Sequence, residues 1–374
     1  MAEVLGPLTL QNKALPVGLD GTRLAEWAMR DGYTYGQLVN NVALALGAVN
    51  EDLIAKWGWL MSVTEEISLE YPQGGAVTPM DELTDVDTPV LVHGTTIGHM
   101  LPKRIYGNAI GGSKYYWMDA RGPVVEASIT TIALRAIWRF EQKLLGRFFD
   151  SDEEAIGAAG YSVPFVHGTG GAVDFAPPSY DGTTFATSHD HFIGYNASTP
   201  KTMADVLEGL AATLAEHGHM APYSAIVSRA DIALFGALTN KVIMVDGRVQ
   251  VDRAGVTSGA QFFATGEQTI SRIGAYQSTL GWIDLYATSR VPTGYVGMTK
   301  SYGQLDARNA LAVRVHPMRG FGVAVVPETT PDDDFPIKQL DVDFLFGVGV
   351  GKDRTNGAVG YLVAGGSYAD PTIS

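Results

Sequence analysis

The sequence predicts an α+β protein with more than one subdomain, and three observations carry that prediction. Two amphipathic helices stand out, a long one from Val125 to Phe149 and a shorter one from Thr202 to His217. Short strand-like runs separated by turns crowd the stretch after Tyr223. A long segment of strict alternation, Val342 to Val350, follows them. At 374 residues the chain also exceeds the size at which a single hydrophobic core keeps growing.

Composition narrows the classes of function. A content of 46% hydrophobic and 18% charged residues describes a chain able to bury a sizeable core. The 40 acidic against 26 basic residues give a formal charge of -14, the wrong sign for gripping nucleic acid through its phosphates. Any DNA this protein meets is expected to be enclosed and not held. With no cysteine, disulfides, thiolate metal sites and thiol nucleophiles are excluded. Met1 to Lys13 lacks a basic region followed by an apolar one, and no apolar run approaches the roughly 18 residues of a membrane span. A cytosolic chain without a membrane partner is expected.

In chain order, residues 1 to 61 read as an arm. Gly6-Pro7, Pro16, Gly18 and Gly21 punctuate its start, and Thr22, Thr34 and Asn50 mark the beginnings of short helices. From Ser62 to Val124 the pattern changes to strands and turns. Ile67 and Leu69 alternate with polar residues, and Gly74-Gly75, Pro79, Pro89, Gly107 and Gly111-Gly112 break the run, which predicts a long twisted hairpin. That hairpin carries Lys103, Arg104, Tyr106, Lys114, Tyr115, Tyr116 and Trp117 and has no continuous apolar face of its own. Two strands alone are marginal in water. The hairpin is therefore expected to lie across a neighbouring subunit, with these side chains in the interface.

The helix from Val125 to Phe149 follows. Ile129, Ile132, Ala133, Ala136, Ile137, Phe140, Leu144 and Phe148 form its apolar face, and Leu134, Trp138, Leu145 and Phe149 are expected to widen the buried arc. One narrow stripe, Ser128, Thr131, Arg135, Arg139, Gln142 and Lys143, is polar. Its arginines, Arg135 and Arg139, are candidates for ion pairs between subunits.

Residues 150 to 200 are interrupted by Gly and Pro. The second helix begins at Thr202, whose Asp205 completes a capping-box pair, and stops at Gly218; Met203, Val206, Leu207, Leu210 and Leu214 form its buried face. Strands are expected at Ala225-Val227, Lys241-Val245, Val249-Val251, Gly281-Tyr286, Leu311-Val315 and Gly322-Val326, with a brief helix near Arg229 to Leu238. In the last segment Val342, Phe344, Phe346, Val348 and Val350 share one face. Asn356-Gly357 then signals a reversal, after which Ala358 to Ala364 is expected to return as the partner strand.

Catalytic signatures are few. His189 and His191, two apart on a strand, project to one face and with Asp190 could serve a metal-dependent enzyme, with His167, His217 and His219 as candidate further ligands. The reading preferred from sequence is that of hydrogen-bonded structural histidines. Gly347-Val348-Gly349-Val350-Gly351-Lys352 misses the phosphate-loop pattern, because Phe346 takes the place of its first glycine and Asp353 that of its Ser or Thr. No serine lies in a Gly-x-Ser-x-Gly frame. Asp332-Asp333-Asp334 reads as a solvated loop.

In their order these pieces resemble the Hong Kong 97-type major capsid proteins of tailed bacteriophages. Local phrases support the resemblance over residues 60 to 374: Tyr71-Pro72-Gln73-Gly74-Gly75, Arg290-Val291-Pro292-Thr293-Gly294-Tyr295, Val313-Arg314, Phe346-Gly347-Val348-Gly349-Val350 and Gly366-Ser367-Tyr368. The resemblance implies an N-terminal arm (1-61), an extended loop (62-124), a peripheral domain (125-222 and 337-374) with its spine helix at 125-149, and an axial mixed domain (223-336). It implies a structural protein without enzymatic activity or cofactor, assembling with itself into pentamers and hexamers of an icosahedral head in the host cytoplasm. That head encloses double-stranded DNA without reading its sequence. Because the arm shows no heptad run, a separate scaffolding protein is expected, beside a portal and a maturation protease. An encapsulin-like nanocompartment is the alternative of the same architecture; the long arm and inserted loops favour the viral reading.

Overall fold

The computed structural model describes residues 33–74, 96–113, 122–155, 161–168, 175–195, 201–239, 241–245, 248–251, 270–326, 337–362 and 366–373. They fall into two compact units, one within the ranges 1–57, 103–140 and 314–347, the other within 58–102, 141–313 and 348–374.

The first unit is organised by one long strand. Helix α1 (Tyr33–Trp57) is continuous, where the sequence suggested separate starts at Thr34 and Asn50. Leu46, Leu53 and Trp57 are buried along one face, and Asn50 lies among them. Its side chain is occupied by the backbone of Val323, donating to the carbonyl at 3.2 Å and accepting from the N–H at 2.8 Å. A residue type that favours helix starts here serves a tertiary contact inside a helix. The start expected at Thr22 lies outside the described residues.

The sequence expectation of one hairpin over 62–124 is corrected by the pairing. Strand β2 (Ser68–Pro72) pairs with β3 (Thr96–Met100). Strand β4 (Arg104–Ser113) instead pairs antiparallel with β16 (Ile337–Val350), in register from Arg104 opposite Phe346 to Ser113 opposite Ile337. Strand β15 (Val323–Val326) takes the other edge of β16. The glycine-rich β4 has too weak an alternation to declare its partner, and that partner lies more than two hundred residues away. Helix α2 (Gly122–Phe149) supplies Phe140, whose ring meets Phe321, Phe344 and Phe346 at centroid distances of 5.4, 5.8 and 5.3 Å. The alternation read from the sequence holds here: Val342, Phe344 and Phe346 are buried on one face of β16.

The second unit is built on an eight-stranded sheet in the order β10-β9-β11-β12-β8-β13-β17-β7. Its strands are β7 (Phe192–Gly194), β8 (Tyr223–Ser228), β9 (Lys241–Val245), β10 (Arg248–Val251), β11 (Ile270–Ser278), β12 (Gly281–Thr288), β13 (Tyr295–Thr299) and β17 (Ala358–Tyr361). The sheet thus joins strands from both sides of the boundary expected at Tyr223. Helix α3 (Met203–Ala215) covers it. Met203, Val206, Leu207, Leu210 and Leu214 are buried against Tyr223, Ala225, Ile283, Leu285, Val296 and Met298. The capping box is present: Thr202 N–H donates to Asp205 at 2.8 Å, and Asp205 N–H donates back to the Thr202 hydroxyl at 3.3 Å. The helix ends at Ala215, and the turn that follows it closes at Gly218, whose φ of +86° suits glycine. The brief helix expected near Arg229 is a turn of 3₁₀ helix (Arg229–Asp231) followed by α4 (Ile232–Gly236).

The expected return of Ala358 to Ala364 onto the long strand is also corrected: β17 pairs with β13 and β7. Asn356 explains the choice. Its side chain accepts from Lys300 N–H at 2.9 Å and donates to the carbonyls of Lys300 and Arg308, each at 2.9 Å, so the turn is pinned at the end of β13.

Two buried arginines give this unit a polar core. Arg354 donates to the carbonyls of Pro164 and Phe165 and to the Tyr71 hydroxyl, and lies 4.7 Å from the Phe175 ring centre. Arg147 binds Asp150 at 2.9 Å and the carbonyls of Asp152 and Ser162. Nearby, His99 is buried with its Nε2 3.0 Å from the Val350 carbonyl, and burial, reinforced by the charges of Arg354 and Arg147, pushes it down to about 4. Among the described residues no helix is long and apolar enough to cross a membrane.

Candidate functional site

The first candidate surface is formed by α2 and β4. Arg135 donates to the Asn108 side chain at 3.3 Å, and the Arg139 guanidinium lies 5.5 Å from the centre of the Tyr106 ring. Residues four apart on a helix and two apart on a strand share a face, which brings these four together. Tyr106 is half-buried, with its ring 5.0 Å from Phe346, so part of its surface is covered within the protomer. Arg104, Arg135 and Arg139 are exposed, and Lys103 is half-buried just before β4. Lys114, Tyr115, Tyr116 and Trp117 lie outside the described residues.

The apolar side chains of this surface depart from the expectation. Leu145 and Phe149 are buried as the sequence suggests, but Leu134 is 61% exposed and Trp138 47%. Helical periodicity identifies an apolar stripe without identifying what covers it. Sequence reasoning misses Ile105, which is 69% exposed on β4. Its position out of phase with Tyr106 is the signal that could have found it. Large apolar groups beside arginines are the composition favoured at protein interfaces.

The second candidate is a histidine cluster in the sheet unit. His189 and His191 precede β7, and His217 follows the C-terminal end of α3. The Nε2 atoms of His189 and His217 lie 2.9 Å apart, and those of His191 and His217 lie 3.0 Å apart. One ring nitrogen from each of the three falls within 4.8 Å of the others. His191 Nδ1 is 2.7 Å from the Gly357 carbonyl and donates to it, which leaves its Nε2 without a proton. Glu216 places a carboxylate oxygen 3.4 Å from His189 Nε2. The Phe185 ring covers the group, with its centre 4.2 Å from that of His217 and 4.9 Å from that of His189. Burial holds His191 well below the ordinary histidine range and His217 down to about 3, so these imidazoles are neutral near pH 7.

The other residues weighed from the sequence turn elsewhere. Asp190 accepts from His167 Nδ1 at 2.9 Å and from the Phe192 N–H at 2.8 Å. His219 bonds the hydroxyls of Tyr302 and Thr355, each at 2.8 Å. Of the three candidate further ligands, His217 alone joins His189 and His191, brought there by the stop of α3, which spacing could not show.

No protein-family model matches the sequence, and no curated protein does. Among solved structures, a chain from Mycobacterium phage Patience matches with a TM-score of 0.62 at 20% identity, covering 89% of this chain and 90% of its own. This chain shares that phage fold. Two more distant structures are the capsid of the cyanophage P-SCSP1u, with a TM-score of 0.48, 10% identity and coverage of 81% and 86%, and the capsid of a native GTA particle, at 0.47, 13%, 83% and 91%. In terms of the phage fold, the α2–β4 surface belongs to the first compact unit and the histidine cluster to the second.

Proposed function

We propose that this chain is the major capsid protein of a tailed bacteriophage. In this reading it assembles into pentamers and hexamers that close an icosahedral shell around double-stranded DNA. The observation that carries it is the agreement of fold, over nine-tenths of both chains, with a chain of a mycobacteriophage. Leu134, Trp138 and Ile105 give physical support, because head-to-tail contact with further copies would remove their exposed apolar surface from water. A net charge of -14 also suits a container wall, which encloses packaged DNA without holding it.

The role is structural. Residues 1–61 act as the arm, 62–124 as the extended loop, 125–222 and 337–374 as the peripheral domain, and 223–336 as the axial domain. Lys103, Arg104, Tyr106, Arg135 and Arg139, with Lys114, Tyr115, Tyr116 and Trp117, line the contacts between copies. A separate scaffolding protein, a portal and a maturation protease act with it in the host cytoplasm, and the product is the virion.

Electron microscopy of the full chain, expressed alone and with the neighbouring genes of its locus, tests the reading. Closed particles with five- and six-fold capsomers and nuclease-protected DNA are expected. A monomer under all these conditions would overturn it, and particles filled with a protein cargo would assign the chain to a nanocompartment.

A further inference from the structure

We propose that His189, His191 and His217 bind a divalent transition-metal ion, zinc above all, which fastens the edge strand β7 to the end of α3. The inference goes beyond the shell reading, since nothing in a container role calls for a metal.

Proton accounting carries the argument. His191 has committed its one proton to the Gly357 carbonyl through Nδ1, so its Nε2 presents a lone pair to His217. His217 Nε2 also faces His189 Nε2. At best a single proton on His217 serves two neighbours, and its own Nδ1 is then a buried acceptor without a hydrogen-bond partner among the described residues. If His217 carries its proton on Nδ1 instead, that proton is buried without an acceptor and two lone pairs oppose each other at 3.0 Å. A cation placed between the rings accepts all three lone pairs and ends their opposition, leaving only the His217 Nδ1 proton without an acceptor among the described residues.

The geometry agrees with zinc. Zn–N bonds of about 2.0–2.1 Å in a tetrahedral site place ligand nitrogens roughly 3.3 Å apart. The observed 2.9 and 3.0 Å therefore require only a small opening of the cluster. The Glu216 oxygen stands 3.4 Å from His189 Nε2, at the side of the cluster. The hydrogen bond from His191 Nδ1–H to a carbonyl is the outer-shell contact that fixes the tautomer and orientation of a ligating imidazole. Three imidazoles suit zinc and its first-row neighbours and leave the fourth position of a tetrahedral site to water. Asp190 is left to orient His167.

The mechanical effect follows from the topology. β7 is the last strand of the eight-stranded sheet, and α3 lies on the sheet face. An ion shared by residues on both sides of the stretch between 191 and 217 closes that loop and secures the sheet edge.

The test uses the untagged full chain, stripped with a chelator and titrated with Zn²⁺ or Co²⁺. Uptake of about one Zn²⁺ per chain is expected, with a rise in Tm of about 5 °C or more. Co²⁺ is expected to give the intense visible bands of a tetrahedral site. His217→Gln should weaken uptake about tenfold or more, while His167→Gln keeps it. The idea fails if folded wild-type chain takes up less than about a tenth of an equivalent at micromolar free Zn²⁺. It also fails if cobalt bound to the wild type shows only weak octahedral bands, a reading that decides even where the histidine variant does not fold. Since only folded chain is needed, the result is independent of whether shells form.

Discussion

The two units of this protein treat their apolar residues differently. In the sheet unit, α3 buries its whole apolar face from Met203 to Leu214. In the other unit the interior of α2 and β16 is equally dry around Phe140, Phe344 and Phe346, yet the same helix leaves Leu134 and Trp138 in water and β4 leaves Ile105. The sheet unit also exposes large apolar side chains, Ile67, Met220 and Trp282 among them, but in the first unit Ile105, Leu134 and Trp138 are gathered on β4 and α2 next to the exposed Arg104, Arg135 and Arg139. Apolar groups set among arginines are the composition of an assembly surface.

Substitutions can break or sharpen this contrast. The largest effect on stability is expected from Phe346→Ala, which removes a ring packed on Tyr106, Phe140 and Phe344 and should cost about 3–5 kcal/mol in urea unfolding of the isolated chain. A cost near zero would mean that the first unit is not closed around this strand.

Acidification comes next and tests the sheet unit. His99 has a folded value of about 4 against an ordinary 6.5, so the native state binds fewer protons than the unfolded chain between those limits. Stability is therefore complete above about pH 6.5 and falls as the pH drops toward 4, by on the order of 3 kcal/mol from this group. In His99→Gln the pH dependence of unfolding over this window should flatten, and an unchanged slope would assign it to other groups. Thr202→Ala, which removes one half of the capping box on α3, should cost about 1 kcal/mol by the same measurement.

The smallest effect on the isolated chain is the most telling. Leu134→Ser with Trp138→Ser should change its stability by no more than about 0.5 kcal/mol. Particle yield by sedimentation should nevertheless collapse. Intact shells from this double variant would remove α2 from the interface and shift attention to the sheet unit.

The sequence made local features legible. Thr202 with Asp205 announced the cap of α3, the run Val342-Phe344-Phe346 announced a buried strand face, and the long helix was evident from its periodicity. Partners at a distance were not legible. Nothing in Arg104 to Ser113 names Ile337 to Phe346 as its pairing strand, because a glycine-rich strand has little alternation to match. The reversal signal at Asn356-Gly357 was read as a hairpin, although its side-chain amide is spent on Lys300 and Arg308. The candidate sites divide the same way. Arg135 and Arg139 were chosen from a stripe that one helix displays by itself, and the structure sets them over Asn108 and Tyr106. His189 and His191 were visible as a pair, whereas His217 becomes their neighbour through the fold alone.

Asn50 has a further consequence. Its amide reads both polar groups of Val323, and at the preceding residue, Gly322, an added Cβ would lie 2.3 Å from the amide nitrogen at a φ of +137°. Apolar ridges by themselves would tolerate sliding α1 by a turn, but this two-point latch cannot be re-engaged one step along. The helix is thus indexed like a key in a lock, held at a single register on the first unit.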